Sequence, residues 1–256
     1  RPYGRGTRCT PARWAVAARP RAAGCSGTSP TKRSPRPMCG SPGRATARAS
    51  LALLTTVPTC WQRLGYRSRA YLKLNELNDK LRLLRPGMRA LELGSAPGSW
   101  TQVLVEHEIE TLAIDILPME PVPGSRFLQG DFTTNETKAE MRKLLGGAPV
   151  DLLLTDLSPN RTGMHDVDEA RQTDMIEQAL LLARRHLRHG GTFLTKVLDG
   201  GDRQRLVRAV RQFGTVKTYK PPASRQESRE FYLCVRDFDH ARLDASTWRE
   251  EGLHAC

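Results

Sequence analysis

The sequence predicts an α/β fold: a mostly parallel sheet of seven strands, with helices on both faces and an antiparallel hairpin at one edge. From about residue 86 onward, short continuous apolar runs alternate with segments of helical periodicity. Continuous apolar strands separated by helices are typical of a parallel sheet that is buried on both faces. The last two runs are joined by a loop without a helix, which indicates an antiparallel pair.

The predicted elements begin with an amphipathic helix, which has Ser68 as candidate N-cap and continues to about Leu84, before Pro86 and Gly87. Its apolar face consists of Tyr71, Leu72, Leu74, Leu77, Leu81 and Leu84. The candidate strands are residues 89–93, 111–115, 151–155, 192–198, 216–219 and 231–235, and a short apolar stretch at 127–128 follows the second of them. The candidate helices are residues 98–107, 135–145, 171–188 and 202–213.

Residues 1–60 differ in composition from the rest of the chain, with 11 Arg or Lys, no Asp or Glu and no hydrophobic period. Such a segment cannot bury enough apolar surface to offset its conformational entropy. An Arg-rich, Ser-rich and acid-free segment is typical of an organelle transit peptide. The alternatives are a disordered extension or a true start at Met38. We therefore expect a leader at 1–60, one folded domain at 61–240 and a tail at 241–256.

The formal net charge of +13 overstates the basic character of the predicted domain. Residues 61–256 contain 29 basic and 27 acidic residues, a net charge of +2, so any basic surface there must be local. One such surface is predicted in residues 61–86, which carry seven basic and two acidic residues. A patch of this kind suits phosphate contacts, whereas the alternative is a solvated helix face.

Two further classes of protein are disfavoured by the composition. None of the six cysteines forms a C-x-x-C pair, so neither a zinc site nor a disulfide framework is indicated, and we expect no metal. A reducing compartment fits this cysteine usage best. No apolar run approaches the roughly 20 residues that a membrane span requires.

The first predicted strand leads into a glycine-rich turn, Leu91-Glu-Leu-Gly-Ser-Ala-Pro-Gly-Ser-Trp100. A tight glycine turn that opens a helix lets backbone N–H groups approach a ligand closely. The third glycine of G-x-G-x-x-G is missing, which disfavours a pyrophosphate cofactor. Asp115, at the end of the second strand, is placed to accept both hydroxyls of a ribose. Asp131, after the next apolar stretch, is placed to bind an adenine amino group. Together these residues predict a nucleoside cofactor.

Charged residues in unusual places indicate a reaction centre. Asp156 lies at the carboxyl end of the following strand, where ligands bind in open α/β sheets. Lys196 lies inside an apolar strand, where an unpaired lysine is costly to bury, so Asp156 is its expected partner. Lys73 and Glu230, each taken alone, are typical of ordinary surface charges.

Residues 66–236 resemble the FtsJ-like heat-shock ribose 2′-O-methyltransferases over essentially the whole catalytic domain. The matching segments are residues 67–74, 94–100, 115–119, 127–132, 156–160 and 196–197, with Ser224-Arg225 and Ser228-Arg-Glu-Phe-Tyr232. The fold that the resemblance implies is the S-adenosylmethionine-dependent methyltransferase (Rossmann-like) fold. The departures are Ser95 and Ser99, where the family usually has Ala and Gly, and a short segment between Trp100 and Asp115.

The resemblance implies a catalytic tetrad of Lys73, Asp156, Lys196 and Glu230, and S-adenosylmethionine as cofactor. The residues expected to bind the cofactor are Gly94, Pro97, Gly98, Trp100, Asp115, Asp131, Phe132 and Asp156. Asn160 is similar to the ribosomal-RNA branch of the family. With the leader, it implies a mitochondrial methyltransferase of large-subunit ribosomal RNA, acting on the subunit or its precursor. The residues expected to contact RNA are Arg67, Arg69, Arg82, Arg85, Arg225 and Arg229.

The implied mechanism is an in-line displacement in which Lys196 acts as the base or the polariser of a 2′-hydroxyl. An ordinary lysine has a pKa of about 10.4 and is mostly protonated at neutral pH, so a purely orienting role also stays open. Glu230 would hold Lys73 or the ribose in place. The alternative functions are a non-catalytic ribosome-assembly factor with this fold and a tRNA or cap ribose methyltransferase. The alternative locations are the nucleus and the cytoplasm.

Overall fold

A computed structural model of the chain describes residues 60–158, 162–198, 203–224 and 230–240. The predicted C-terminal tail and all of the predicted leader except its last residue lie outside these ranges, as do Asn160, Arg225 and Arg229. The helices are α1 (Cys60–Arg63), α2 (Ala70–Leu81), α3 (Ser99–Glu106), α4 (Asn135–Leu145), α5 (His165–His186) and α6 (Arg203–Arg211). The strands are β1 (Arg89–Leu93), β2 (Glu110–Asp115), β3 (Ser125–Gln129), β4 (Val150–Thr155), β5 (Leu187–Leu198), β6 (Thr215–Tyr219) and β7 (Glu230–Arg236).

The seven strands form one sheet in the order β3-β2-β1-β4-β5-β7-β6. The five strands from β3 to β5 are parallel, whereas β7 is antiparallel to both β5 and β6. This arrangement confirms the predicted fold class, including the antiparallel pair at the edge. The order reverses next to β1, and ligands bind beyond the carboxyl ends of strands at such a point.

Alternation of side chains along the strands gives the sheet two buried faces. One face packs against α4, α5 and α6, and its core includes Leu91, Leu153 and Phe193. The other face packs against α2 and α3, and its core includes Leu154 and Leu194. Helices therefore cover both faces, which is why the apolar strand runs are continuous in the sequence. Within the described ranges, no helix combines the length and the apolar character that crossing a lipid bilayer requires.

Helix α2 ends at Leu81, three residues before the predicted end. Arg82 adopts a left-handed conformation with φ of 51°, and its N–H donates to the Asn78 carbonyl. The Asn78 side chain then accepts the N–H groups of Leu83 and Leu84, at 3.0 and 2.9 Å. Asn78 thus accepts the N–H groups of the residues that follow the helix, and α2 ends before Pro86.

The bounds of α5 and β5 also differ from the prediction. Helix α5 begins at His165 rather than residue 171, and it ends at His186 because the chain passes directly into β5. Strand β5 begins at Leu187, five residues before the predicted start, with a shift in register between the Val150 and Leu152 pairings. The sequence did not indicate this extension, since Arg188, His189, Gly190 and Gly191 are not apolar.

Candidate functional site

Four charged residues of the predicted tetrad lie on or beside the α2–α3 face of the sheet. Lys196 on β5 and Glu230 on β7 share this face because each lies an even number of residues from a side chain of the same core. Asp156 directly follows the last residue of β4, and Lys73 lies on α2, which covers this face. The fold therefore brings together residues that are up to 157 positions apart in the sequence.

Lys73 and Glu230 form an ion pair in which both side chains are nearly buried, with 12% and 11% exposure. Burial raises the pKa of the Glu230 carboxyl, but the hydrogen bond and positive charge of Lys73 outweigh it and leave that pKa below its ordinary value. Glu230 is therefore ionised at neutral pH. This pair fixes the position of the Lys73 ammonium at the edge of the site.

The Lys196 ammonium, whose side chain is only 6% exposed, has three oxygen partners. It donates to the backbone carbonyl of Asp156 at 2.9 Å and to the Ser158 hydroxyl at 2.6 Å. It also pairs with Oδ1 of Asp156 at 3.0 Å. An ammonium has three N–H donors, so the lysine is fully hydrogen-bonded as a cation. This is the partnership with Asp156 that the cost of burying a lysine predicted.

Tyr232 is a member of this cluster that the sequence reasoning missed. Its hydroxyl donates to Oδ1 of Asp156 at 3.0 Å, and its side chain is fully buried. It is paired with Lys196 across the β5–β7 ladder, so both residues reach the same carboxylate. Burial, followed by the negative charges of Asp156 and Glu230, raises the Tyr232 pKa well above its ordinary value. The phenol therefore stays a neutral donor that orients Asp156.

Replacing Tyr232 with phenylalanine is expected to lower the maximal rate of the reaction at this site by roughly 3- to 30-fold. The substitution removes one hydrogen bond to a buried carboxylate without altering the ring. Because Tyr232 acts through Asp156, kcat should fall without a matching rise in KM. Tyr219→Phe, at the position paired with Tyr232 on β6, is the control. Equal rates for the two variants would remove Tyr232 from the site.

Several backbone N–H groups of the glycine-rich turn between β1 and α3 donate hydrogen bonds within the protein. The N–H groups of Gly94 and Ser95 donate to the Ile114 carbonyl, and that of Gly98 donates to the Ser95 carbonyl. The N–H of Ala96 donates to Oδ2 of Asp115 at 2.8 Å. These four amides are therefore engaged within the protein rather than open to a ligand. A loop of this kind does not cradle a phosphate.

The two glycines of the turn are required for packing. Gly94 has φ of +77°, and a Cβ there would lie 2.9 Å from the Leu157 side chain, which follows Asp156. Gly98 has φ of +101°, and a Cβ there would meet the Arg67 guanidinium at 2.7 Å. Both positions combine a conformation that side chains rarely adopt with close neighbours. The turn can thus approach the end of β4 closely.

The strand-end acids lie where the sequence placed them. Asp115 is the last residue of β2 and is partly buried, and its Oδ1 accepts the Leu117 N–H at 2.8 Å. A carboxylate has about four acceptor positions, so Asp115 keeps capacity for ligand hydroxyls. Asp131 is exposed and accepts the N–H and hydroxyl of Thr133. These acids leave room for polar groups of a ligand beside the carboxyl ends of β2 and β3.

Ile116 and Leu117 were not predicted as site residues, yet their side chains are 61% and 58% exposed directly after Asp115. Exposed apolar side chains beside a strand-end carboxylate are suited to covering a flat aromatic group. The sequence did carry a signal, because two adjacent large aliphatic residues follow the end of a strand where the chain leaves the core.

The rings of Trp100 and Phe132 are not open to a cofactor. Trp100 is 2% exposed, its indole N–H donates to the Ala70 carbonyl at 2.9 Å, and its ring packs against Tyr232. Phe132 is 6% exposed and lies in the core on the opposite face. Only the backbone of these two residues remains for ligand contacts. Pro97 is exposed, but its carbonyl accepts a hydrogen bond from Arg67.

Arg67, which is predicted to contact RNA, has partners within the protein in the structure. Its guanidinium donates to the carbonyls of Pro97 and Pro121, each at 2.9 Å, and to that of Glu120. These bonds tie the glycine-rich turn to the segment before β3 and use three of the five N–H donors of the guanidinium. Arg67 therefore holds the glycine-rich turn beside the segment that precedes β3.

The other described arginines of the predicted RNA surface, Arg69, Arg82 and Arg85, are exposed. A second basic surface, which was not predicted, is formed by α6 and β6 at the sheet edge. Residues 203–224 contain six basic residues and no acidic ones, and Arg208, Arg211 and Lys217 are exposed. The rest of 61–256 therefore has a net charge of −4, so the charge of the domain is unevenly distributed.

Glu92 is a buried acid that, like Tyr232, was not predicted from the sequence. It lies on β1 beneath the glycine-rich turn, is 1% exposed, and accepts the Thr101 hydroxyl at 2.7 Å. Burial raises the pKa of Glu92 to about 8, against the Thr101 hydrogen bond and with support from the charges of Asp156 and Asp115. The argument applied to Lys196 would have found it, because Glu92 is also a charged residue inside an apolar strand.

Glu92→Gln is expected to raise the melting temperature of the cofactor-free protein by an amount that grows from pH 5 to pH 8.5. The folded-state pKa of Glu92 lies near 8 and its unfolded value near 4.5. Between these two pKa values the folded state keeps a proton that the unfolded state has released. The free energy of unfolding therefore falls as the pH rises from about 4.5 to about 8. Glutamine cannot ionise, so the difference should reach several degrees. The control is Glu120→Gln, an exposed acid. A difference that is independent of pH would contradict this reading of Glu92.

Among the residues that the structure describes, no group of three or more His, Cys, Asp or Glu side chains is arranged to hold a metal ion.

Comparison with known proteins finds one family and a consistent group of relatives. The profile of the FtsJ-like methyltransferases matches residues 66–238. The chain is 48% identical over 176 residues to the ribosomal RNA large subunit methyltransferase E of Methylobacillus flagellatus, covering 67% of this chain and 85% of that protein. It is 50% identical over 177 residues to the protein of the same name from Azoarcus sp., covering 68% and 86%. A solved structure described as a ribosomal RNA methyltransferase from Plasmodium falciparum superimposes with a TM-score of 0.62 at 26% identity, covering 68% of this chain and 98% of that one.

Proposed function

The chain belongs to the FtsJ-like methyltransferase family, and from this premise we propose that it transfers a methyl group from S-adenosylmethionine to a ribose 2′-hydroxyl of large-subunit ribosomal RNA. The observation that carries the proposal is the nearly buried Lys196 ammonium, bonded to Asp156 at the carboxyl end of β4. A buried lysine paired in this way, with Lys73 and Glu230 close by, suits the handling of a hydroxyl group.

The residues around the glycine-rich turn fit the proposed cofactor. Asp115 has acceptor capacity for ribose hydroxyls, and Ile116 and Leu117 offer apolar surface to an adenine. The turn itself keeps its amides for internal bonds, which suits a cofactor without phosphate groups. When bound, S-adenosylmethionine supplies a methyl group on a sulfonium centre that is already electrophilic.

The protein's own contribution to the reaction is then mainly positioning. Lys196, held as a cation by Asp156, would donate a hydrogen bond to the substrate oxygen and fix its direction of attack. Tyr232 keeps Asp156 in place, and the ion pair with Glu230 keeps Lys73 beside the site. The proton of the hydroxyl leaves as the new bond forms, and it would pass to the Asp156 carboxylate, because the Lys196 ammonium has no lone pair to accept it.

The proposed substrate is large-subunit ribosomal RNA, which the relatives' shared name supports. The test is methyl transfer from labelled S-adenosylmethionine to three RNAs: purified large subunits, free large-subunit rRNA, and bulk tRNA with capped RNA. We expect label in one of the first two. Label only in tRNA or capped RNA would assign another substrate. No label with any RNA, together with normal binding to the subunit, would favour a non-catalytic assembly factor.

The contacts that hold RNA are expected to be local and sensitive to salt. Changing Arg69, Arg82 and Arg85 together to glutamine should flatten the log–log dependence of RNA affinity on salt by about 2–3 units, since each phosphate contact contributes about 0.7–0.9. Arg67 and Lys73 are left unchanged because both are engaged within the protein. The control changes the exposed residues Arg142, Lys143 and Arg185 to glutamine. An equal effect in both triple variants would mean that only total charge matters.

We also propose that the protein acts in mitochondria, on the basis of the acid-free, Arg-rich composition of residues 1–60. Mature protein isolated from cells should then lack most of these residues and fractionate with mitochondria. Intact leader on protein found in the cytosol or nucleus would contradict this location.

A further inference from the structure

We infer that the Ser158 hydroxyl occupies the hydrogen-bonding position on the Lys196 ammonium that the substrate hydroxyl takes during the reaction. Ser158 is then displaced from Lys196 when RNA binds. This inference rests on the proposed function and deepens it, because it names the place where the substrate oxygen meets the protein.

The first step of the argument is the number of donors on Lys196. An ammonium offers three N–H donors. All three are directed at oxygen atoms: the Asp156 carbonyl at 2.9 Å, Asp156 Oδ1 at 3.0 Å and Ser158 Oγ at 2.6 Å. A further oxygen can be oriented by Lys196 only if one of these three partners gives way.

The second step is which partner yields. The Asp156 carbonyl belongs to backbone that is fixed at the end of β4, where the Asp156 N–H donates to the Leu93 carbonyl at 3.2 Å. The Asp156 carboxylate is charged and is also held by Tyr232. Hydrogen bonds between two charged groups are stronger than those to a neutral hydroxyl. Ser158 is neutral and lies three residues beyond the end of β4, so it is the partner most easily replaced.

The third step is access to the ammonium. Lys196 is 6% exposed, whereas Ser158 is exposed. The other charged or titratable side chains at this site are Asp156, Glu230, Tyr232 and Lys73, each engaged with another member of the cluster, and Glu92, which interacts electrostatically with Asp156 and accepts the Thr101 hydroxyl. The side of Lys196 that Ser158 covers is therefore the side that faces solvent, and RNA approaches from there.

The test compares Ser158→Ala with Ser158→Thr in single-turnover methyl transfer to large-subunit rRNA at saturating S-adenosylmethionine. Alanine removes the competitor for Lys196, so the half-saturating RNA concentration should fall about three- to tenfold. The plateau rate, at which Ser158 has already left the ammonium, should change by less than this. Threonine retains the hydroxyl, and its half-saturating concentration should stay at the wild-type value.

The pH profiles give a readout that a merely structural role would not produce. The profile of kcat/KM reports the free enzyme, and that of kcat reports the RNA complex. Ser158→Ala removes an acceptor of the ammonium only in the free enzyme, so its profile of kcat/KM should move relative to the wild type, whereas its profile of kcat should not. Equal movement in both profiles, or a lower plateau at an unchanged half-saturating concentration, would make Ser158 a permanent part of the site and overturn the inference.

Failure of this inference can be separated from failure of the proposed function. A wild-type protein that transfers no methyl group to any RNA contradicts the proposed function by itself. Normal wild-type transfer, with a half-saturating RNA concentration that Ser158→Ala does not lower, contradicts only the displacement of Ser158.

Discussion

Lys196→Ala is expected to lower the rate of RNA methylation by roughly two to four orders of magnitude while leaving S-adenosylmethionine affinity near the wild-type value. The substitution removes the group that is proposed to orient the substrate oxygen, and it leaves Asp156 without its cation. Asp115, which is proposed to bind the cofactor, lies on β2, away from Lys196 in the sheet order. Single-turnover rates measure the loss, and calorimetry measures cofactor affinity.

Two further variants separate chemistry from packing in this experiment. Lys196→Met preserves the length of the side chain without its charge, so it should lose as much activity as the alanine variant. Lys217→Ala removes an exposed lysine from the neighbouring edge strand β6 and should retain activity. Near-normal turnover in the alanine or methionine variant would remove Lys196 from the mechanism.

Asp115→Ala is expected to weaken S-adenosylmethionine binding by about 1–3 kcal/mol, or roughly 5- to 150-fold. The ribose hydroxyls lose a charged acceptor. The glycine-rich turn also loses its brace, because the Asp115 carboxylate accepts the N–H groups of Ala96 and Leu117. Calorimetry of the cofactor with the purified protein measures the change directly.

Asp115→Asn separates these two contributions, since the amide oxygen can still accept one backbone N–H but carries no charge. Its loss of affinity should lie between the wild type and Asp115→Ala. Asp79→Ala, an exposed acid on α2, is the control and should bind normally. Unchanged affinity in Asp115→Ala would mean that the cofactor binds elsewhere.

The strands were predicted well because the sheet is buried on both faces. Burial requires continuous apolar runs, and these are visible in one sequence without further information. The end of α2 was not visible, since it depends on Asn78 accepting the N–H groups of residues that follow the helix. The start of β5 was missed because Leu187, its first residue, is followed by four residues that are polar or glycine, residues 188–191.

In the site, a residue type that is rare in its helix or strand could be predicted from the sequence, whereas a residue type that is common there could not. Lys196 attracts attention inside an apolar strand, whereas Tyr232 is a common strand residue whose hydroxyl has meaning only beside Asp156. Trp100 was assigned to the cofactor from its position in a matching segment, and Arg67 was assigned to RNA from the basic character of residues 61–86. Their actual partners are backbone carbonyls of other segments, which only the tertiary structure brings within reach.

The central claim is that the methyl group is transferred to a ribose oxygen. The measurement that tests it most directly is nucleoside analysis of large-subunit rRNA after reaction with isotopically labelled S-adenosylmethionine, with Lys196→Ala as the blank. We predict label in a single 2′-O-methylated nucleoside with the wild type, and none with the variant. Label on a base, or equal label in both reactions, would contradict the account.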